Sequence, residues 1–228
     1  MAQAGVARIL LQYHSYPEGA DQTAAAIRKA GAQADPIQAD LGTVDGIRSF
    51  TAELESRSGK VDILVNNAGS LVRRSTLPDY PEELYDTVMN LNVKSVWFIS
   101  KAVAGHMIAS GSGAIVNVSS IAARTGGGPG ATIYAAAKAA VSGITKGLAK
   151  ELAPKGIRVN AISPGTVDNH FHEVFSTREV LDSVVRMTPA GRLATNQDMA
   201  DAILWLCSSK ADYVHGQTIE LNGGFYMV

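Results

Sequence analysis

Apolar positions along this chain alternate between two rhythms. Short, mostly apolar runs at Arg8–Tyr13, 34–38, 61–65, 114–118, 157–162 and Thr218–Leu221 read as strands. The run Val61-Asp62-Ile63-Leu64-Val65 is the kind expected of a strand covered on both faces. Between these runs, 18–30, 43–58, 82–108, 131–152 and 197–208 read as helices. Gly31 stops the first and Pro154-Lys155-Gly156 the fourth, while 82–108 is expected to break near Asn90. The stretch 170–187 reads as a lid of one or two helices. Strand and helix in steady alternation predict an α/β fold, a Rossmann-like doubly wound parallel sheet. No linker or repeat interrupts it, so one domain is expected over 1–228, with a substrate lid at about 168–195. The glycine-rich stretch at 126–130 is too short for a linker and reads as a loop near a site.

Composition narrows the function classes. Charged residues make up 18% and apolar ones 46% of the 228 residues, which is globular. A net charge of −1 gives no electrostatic footprint for nucleic acid or an anionic membrane. No apolar run reaches the ~18 residues that span a bilayer, and the N-terminus does not read as a signal peptide. The single cysteine, Cys207, has no intramolecular disulfide partner and fits a reducing compartment. A cytoplasmic protein is expected.

Tyr134 and Lys138 stand four apart on a predicted helix, one turn from each other on the same face. A free tyrosine has a pKa of about 10, too high to exchange protons at neutral pH, and a nearby ammonium favours the phenolate. The pair is therefore a candidate acid/base, although the same spacing occurs on ordinary solvated helices. Three predicted strands end in polar or turn-forming residues: Asn66-Asn67-Ala68-Gly69, Ser119-Ser120 and Pro164-Gly165. Parallel α/β sheets bind ligands at such strand ends. His170-Phe171-His172 lacks the further ligands of a zinc site, so no metal is expected and the histidines read as lid residues. Arg124 is either a solvated loop residue or a contact for an anionic substrate.

Asp40-Leu41, Asn66-Asn67-Ala68-Gly69, Asn92 within Asn90-Leu91-Asn92-Val93-Lys94-Ser95, Ser120, Tyr134, Lys138, Asn160, Pro164-Gly165 and Leu221-Asn222-Gly223-Gly224 stand in one order. From about Gly5 to the C-terminus the chain resembles the short-chain dehydrogenases/reductases, in particular the group containing 3-oxoacyl-carrier-protein reductases and sugar or steroid dehydrogenases. The resemblance implies an oxidoreductase that moves a hydride between NAD or NADP and a carbonyl or secondary alcohol. Tyr134 would exchange the hydroxyl proton, Lys138 would depress its pKa and hold the nicotinamide ribose, and Ser120 would bind the substrate oxygen. Asn92 would kink its helix and hold a water leading from Lys138 to solvent. Asp40, with Leu41, would meet the adenine, Asn66 the adenine ribose, and Ala68 and Gly69 would adjoin the cofactor. Pro164 and Gly165 would shape the loop under the nicotinamide, and the backbone of Val167 would meet its carboxamide. His14 stands about where the family keeps a base for a 2′-phosphate and Tyr13 where it keeps an acid, which favours NADP over NAD. A homotetramer or homodimer is implied, paired through 92–108, 131–152 and 218–228. Trp97, Phe98 and Trp205 read as core or subunit contacts.

The family opens with a strand, a T-G-x-x-x-G-x-G loop and a helix; residues 1–5 match only the tail of that helix. A weaker hold on the cofactor pyrophosphate is therefore expected. The strands at Arg8–Tyr13 and 61–65 would lack their shared partner, so the sheet re-closes, another segment fills the gap, or the sequence in hand is shorter than the natural product. The alternative function is a non-catalytic remnant acting as an oligomeric module.

Overall fold

The structure is a computed structural model that describes residues 1–227. Where the sequence reads as one domain, the chain divides into two compact units, Met1–Gly59 and Lys60–Val228. In the first, β1 (Arg8–Tyr13) and α1 (Pro17–Lys29) lead to β2 (Gln33–Gln38) and α2 (Val44–Ser58). Proline occupies the first turn of α1, where its missing N–H is harmless. Gly31 follows that helix with a φ of 91°, a conformation that suits glycine. Thr43 caps α2 by accepting the Gly46 N–H at 3.0 Å.

The second unit contains β3 (Ile63–Asn66), α3 (Glu82–Met89), a π-helical turn (Asn90–Lys94), α4 (Ser95–Ser110) and β4 (Gly113–Val118). It continues through α5 (Ala122–Thr125), α6 (Thr132–Leu152), β5 (Ile157–Pro164), α7 (His170–Phe175), α8 (Arg178–Met187), α9 (Asn196–Cys207) and β6 (Thr218–Leu221). The break expected near Asn90 is the π turn, and the lid is the two helices α7 and α8. The short helix α5 was not expected.

All the strand pairings are parallel, as the alternation predicts. They fall into a two-stranded sheet, β1-β2, and a four-stranded sheet in the order β3-β4-β5-β6. Each sheet lies within one of the two units. Central strands β4 and β5 carry Ile115, Val116, Val159 and Ile162, each almost wholly buried, as in strands covered on both faces, whereas Ile63, Leu64 and Val65 of β3, for which that cover was expected, are only partly buried.

Polar residues interrupt this apolar sheet, and two of them position the site. Asn66, the last residue of β3, and Asn117 of β4 are register partners. Asn66 Nδ2 donates to Asn117 Oδ1 at 2.8 Å and to Ser100 Oγ of α4 at 3.1 Å. Asn117 Nδ2 in turn donates to Thr145 Oγ1 of α6 at 2.9 Å. The network ties two strands to α4, which follows the π turn of Asn92, and to α6, which bears Tyr134 and Lys138, and every link is buried. Asn117→Leu keeps the branched shape in a larger side chain but removes the partner of one Asn66 N–H and of Thr145 Oγ1; since an unsatisfied buried polar group costs about 1–3 kcal/mol, we expect a loss of about 2–4 kcal/mol, measured by urea unfolding.

Candidate active site

Lys138 projects from α6 and is 3% exposed. Its Nζ donates to the Val118 carbonyl at the end of β4, 2.8 Å away. An ammonium has three donors, so two remain for other partners. Nζ lies 5.7 Å from the centroid of the Tyr134 ring, one helical turn earlier. The Ser120 hydroxyl hydrogen-bonds the Tyr134 phenol and also accepts the Ala122 N–H at 3.1 Å, which holds it at the start of α5. Its neighbour Ser119 has a different job: its Oγ donates to the Lys138 backbone carbonyl at 2.8 Å and meets Ser142 Oγ at 3.0 Å, fastening α6 to β4.

Asn92 lies in the π turn and is wholly buried. A π turn shifts the helical ladder by one residue, and the side chain of Asn92 takes the carbonyl four residues back: Nδ2 donates to Val88 O at 2.9 Å and to Ser70 O at 2.8 Å. Its Oδ1 is buried and has no partner among the described residues. A Cβ placed on Gly69 would come within 2.7 Å of both Asn92 Oδ1 and Lys138 Nζ. Glycine is required there because the β3 loop passes directly over both groups. The left-over acceptor and the left-over ammonium donors thus face the same small space, which suits a water held between them.

Burial governs both titrating groups. It pushes the Tyr134 phenol up to about 12, opposed by the Ser120 hydrogen bond. It pulls the Lys138 ammonium down to about 8. The expectation that Lys138 depresses the Tyr134 pKa is not met in the protein by itself, because desolvation dominates and the phenol stays protonated.

The loop under the expected nicotinamide is also in place. A Cβ on Gly165 would approach Asn222 Cα to 2.8 Å, so Pro164-Gly165 packs closely against the segment following β6. Val167 is buried and bridges in parallel to Ala194. The bonds of that bridge come from its neighbours, Asp168 N–H to Ala194 O and Ala194 N–H to Thr166 O, at 2.8 and 3.0 Å. Val167's own amide appears in neither, as a role toward a carboxamide requires. A cavity of about 220 Å³ opens here, lined by Thr166, Val184, Thr188, Leu221 and Phe225 among others.

Other candidates stand differently. Both donors of the Asn66 amide are committed to the buried network, leaving its oxygen and backbone for a ribose. Within the first unit, Asp40 accepts the Gly42 N–H at 2.9 Å and has His14 Nε2 at 3.7 Å. Both line an open cavity of about 400 Å³ with Ser15, Gln38 and Ser49; Leu41 is buried beside it in sequence. Arg124 is paired with Glu220 at 2.9 Å, so its charge is already met. In the lid it is Phe171, between the two histidines, whose ring lies 6.0 Å from Tyr134. The residue pattern offered no signal for that, since an apolar lid residue looks like any other. Val72 is the one non-glycine residue with positive φ among the described residues, at 65°. For a β-branched side chain this stores strain of about 1–3 kcal/mol.

A parallel α/β sheet with a partly buried serine and tyrosine beside a buried lysine and asparagine defines a proton-handling site of the kind that serves nicotinamide-dependent oxidoreductases. A family described as enoyl-(acyl carrier protein) reductase matches residues 1–226. The chain belongs to the short-chain dehydrogenase/reductase family. It is 35% identical over 219 residues to the 3-oxoacyl-[acyl-carrier-protein] reductase FabG of Staphylococcus aureus, covering 96% of this chain and 88% of that one. Among solved structures it is similar to a gluconate 5-dehydrogenase from Burkholderia cenocepacia in complex with NADP and tartrate, with TM-score 0.87, 33% identity, and coverage of 98% of this chain and 87% of that one. It is also similar to a 7α-hydroxysteroid dehydrogenase complexed with NADH, with TM-score 0.89, 32% identity, and coverage of 98% and 86%.

The opposed pKa shifts give stability a definite pH dependence. The Lys138 value is lowered from 10.5 to about 8, so between these limits the unfolded chain holds a proton that the folded chain has released. Stability therefore rises with pH across that window. The Tyr134 value is raised from 10.0 to about 12, so above pH 10 its contribution runs the other way and stability falls. At about 1.4 kcal/mol per unit, the protein should gain roughly 2 kcal/mol relative to Lys138→Met between pH 8 and 10. Urea midpoints of the two proteins at pH 7.5, 8.5 and 9.5 measure this; a constant difference would refute it.

Proposed function

We propose that this protein transfers a hydride between NAD or NADP and a carbonyl or secondary alcohol, with Tyr134 as acid/base. The observation that carries this reading is the partly buried Tyr134, its phenol hydrogen-bonded to Ser120 and one helical turn from the almost fully buried Lys138 ammonium. The cofactor, when bound, supplies or accepts the hydride. Ser120 holds the substrate oxygen beside the phenol and stabilises charge developing on it. In reduction the phenolic proton passes from Tyr134 Oη to that oxygen. In the reverse direction the phenolate takes the proton back. Lys138 keeps its positive charge beside the phenol, and its free donors suit the hydroxyls of a ribose. Asn92 Oδ1 holds the water through which Lys138 communicates with solvent.

The residues present fit a nicotinamide ribose, through the unused donors of Lys138, and a carboxamide, through the free amide of Val167. In the first unit we assign the adenine to the cavity at Asp40 and Leu41. We favour NADP there because His14, rather than an acid, stands at the end of β1. We place the catalytic machinery and the lid at about 168–195 in one dinucleotide-binding fold. The Cys207 thiol, pushed up to about 11 chiefly by burial, is inert, which fits a reducing compartment, and we place the protein in the cytoplasm. Trp97 and Phe98 on α4 and Trp205 on α9 are exposed. Large exposed aromatics mark contact surfaces, so we infer a homo-oligomer, a dimer or tetramer; light scattering at micromolar concentration should give at least twice the monomer mass.

Tyr134→Phe should lower kcat by about 10²–10⁴-fold, the usual worth of a positioned acid/base. The ring and its packing remain, so the melting temperature and NADPH affinity should stay near those of the parent protein. Steady-state assays with D-gluconate and NADP or NAD test this; a variant retaining a tenth of the parent rate would exclude Tyr134 as the acid.

A further inference from the structure

Arg74 lies in the loop after β3, the same loop in which Gly69 covers Lys138 and Ser70 receives Asn92. Its guanidinium joins three loops around the site. Nε and Nη2 donate to Phe175 O, at the end of lid helix α7, at 3.3 and 3.1 Å. Nη1 donates to Pro129 O, in the glycine-rich loop, at 2.9 Å. Phe175 packs against Phe171 at 4.9 Å, and Phe171 lies against Tyr134. One helical turn of the lid therefore separates the guanidinium from the catalytic ring.

The charge of Arg74 has no carboxylate partner among the described residues. Arg74 is exposed to solvent; its protein partners are neutral carbonyls, and it forms no ion pair among the described residues, whereas Arg124 is paired with Glu220 and Arg192 with Asp198. A guanidinium carries five N–H donors, and the three bonds above leave one on each terminal nitrogen. Two donors on adjacent nitrogens match a carboxylate. The strained turn at Val72 lies two residues before Arg74 and directs the chain against Gly130, where a Cβ would come within 3.0 Å of Arg74 Cβ. His172 beside it is held neutral, its pKa lowered by burial and by the Arg74 charge, so the guanidinium is the dominant positive group here.

We propose that Arg74 is a specificity residue that receives the carboxylate of the substrate, making that substrate a hydroxy or keto acid with several carbons between its carboxylate and its reacting centre. The proposal rests on the hydride-transfer reading of the site, since it places the reacting carbon at Tyr134. A shorter acid would not span the turn of α7 between them, and an uncharged substrate would leave the guanidinium with only carbonyls and water.

The test is calorimetric titration of the full chain with D-gluconate and D-glucitol, which differ by a carboxylate in place of a terminal alcohol. The unmodified protein should bind gluconate at least roughly tenfold more tightly, as a charge-assisted bond requires. Arg74→Gln should weaken gluconate about 10- to 100-fold and erase the preference, and Arg74→Lys should restore part of it. Affinities for the two ligands within twofold on the unmodified protein would overturn the proposal without reference to any variant. So would a folded Arg74→Gln protein that binds gluconate as the parent does. Steady-state assays separate this from the reading beneath it. Arg74-dependent gluconate binding with no hydride transfer to any alcohol or ketone would sink the catalytic reading and leave the carboxylate site standing; hydride transfer from glucitol as efficient as from gluconate would do the reverse.

Discussion

The constraint on which the active site depends is the burial of one ammonium. Lys138 sits at the end of β4 with its Nζ on the Val118 carbonyl, among groups that exclude water. Taking a charge out of water costs several kcal/mol unless dipoles replace the solvent, and the surroundings are arranged to supply them. Ser119 clamps the Lys138 carbonyl, so the side chain leaves α6 at a fixed place. Gly69 omits the side chain that would collide with Nζ. Asn92 presents an oxygen that nothing else uses. Each of these features is unremarkable alone and each is explained by the same amine.

The π turn follows from that arrangement. A regular helix through Asn90–Lys94 would satisfy its carbonyls internally; here the Asn92 amide takes the Val88 carbonyl and reaches the Ser70 carbonyl in the next loop. One side chain therefore pins the loop after β3 to the helix before α4. π turns concentrate at functional sites because they turn a helix residue to a new use. The second tie is the chain of amides from Ser100 through Asn66 and Asn117 to Thr145. Between them they add polar ties among β3, β4, α4 and α6 at the ends of the strands.

Much of this was legible in the residues. The strands at Arg8–Tyr13 and Thr218–Leu221 have the bounds that the pattern predicts, because apolar runs between glycines and polar helices leave little freedom. Tyr134, Lys138 and Ser120 come together as their spacing and strand-end positions imply. What was not legible depends on side chains reaching across sequence-distant loops. The Asn66 amide turns inward to Asn117, Arg124 finds Glu220 on β6, and Phe171 rather than its flanking histidines approaches Tyr134. Pairings of this kind are set by strand order and register, and no local pattern carries them. The division of the strands into two sheets is of the same sort: the pattern gives strand existence, while partnership is decided by which edges meet.

The two perturbed groups also set a direction for the chemistry. Burial disfavours charge on either one, raising the phenol and lowering the ammonium. With Tyr134 protonated and Lys138 still mostly cationic at neutral pH, the protein by itself is poised as an acid, ready to give a proton to a reduced carbonyl oxygen. Working as a base demands that the phenolate become accessible, and the Ser120 hydrogen bond is the sole opposing influence within the chain. Positive charge brought in beside the ring would therefore shift Tyr134 further than any polar contact now present, because a site with so little water screens it poorly. The apolar lid residue Phe171, 6.0 Å from the phenol, strengthens that dependence by keeping solvent from the same space. The acid and base roles of one tyrosine are thus separated by what occupies the site, with the protein supplying a low-dielectric enclosure and a fixed ammonium.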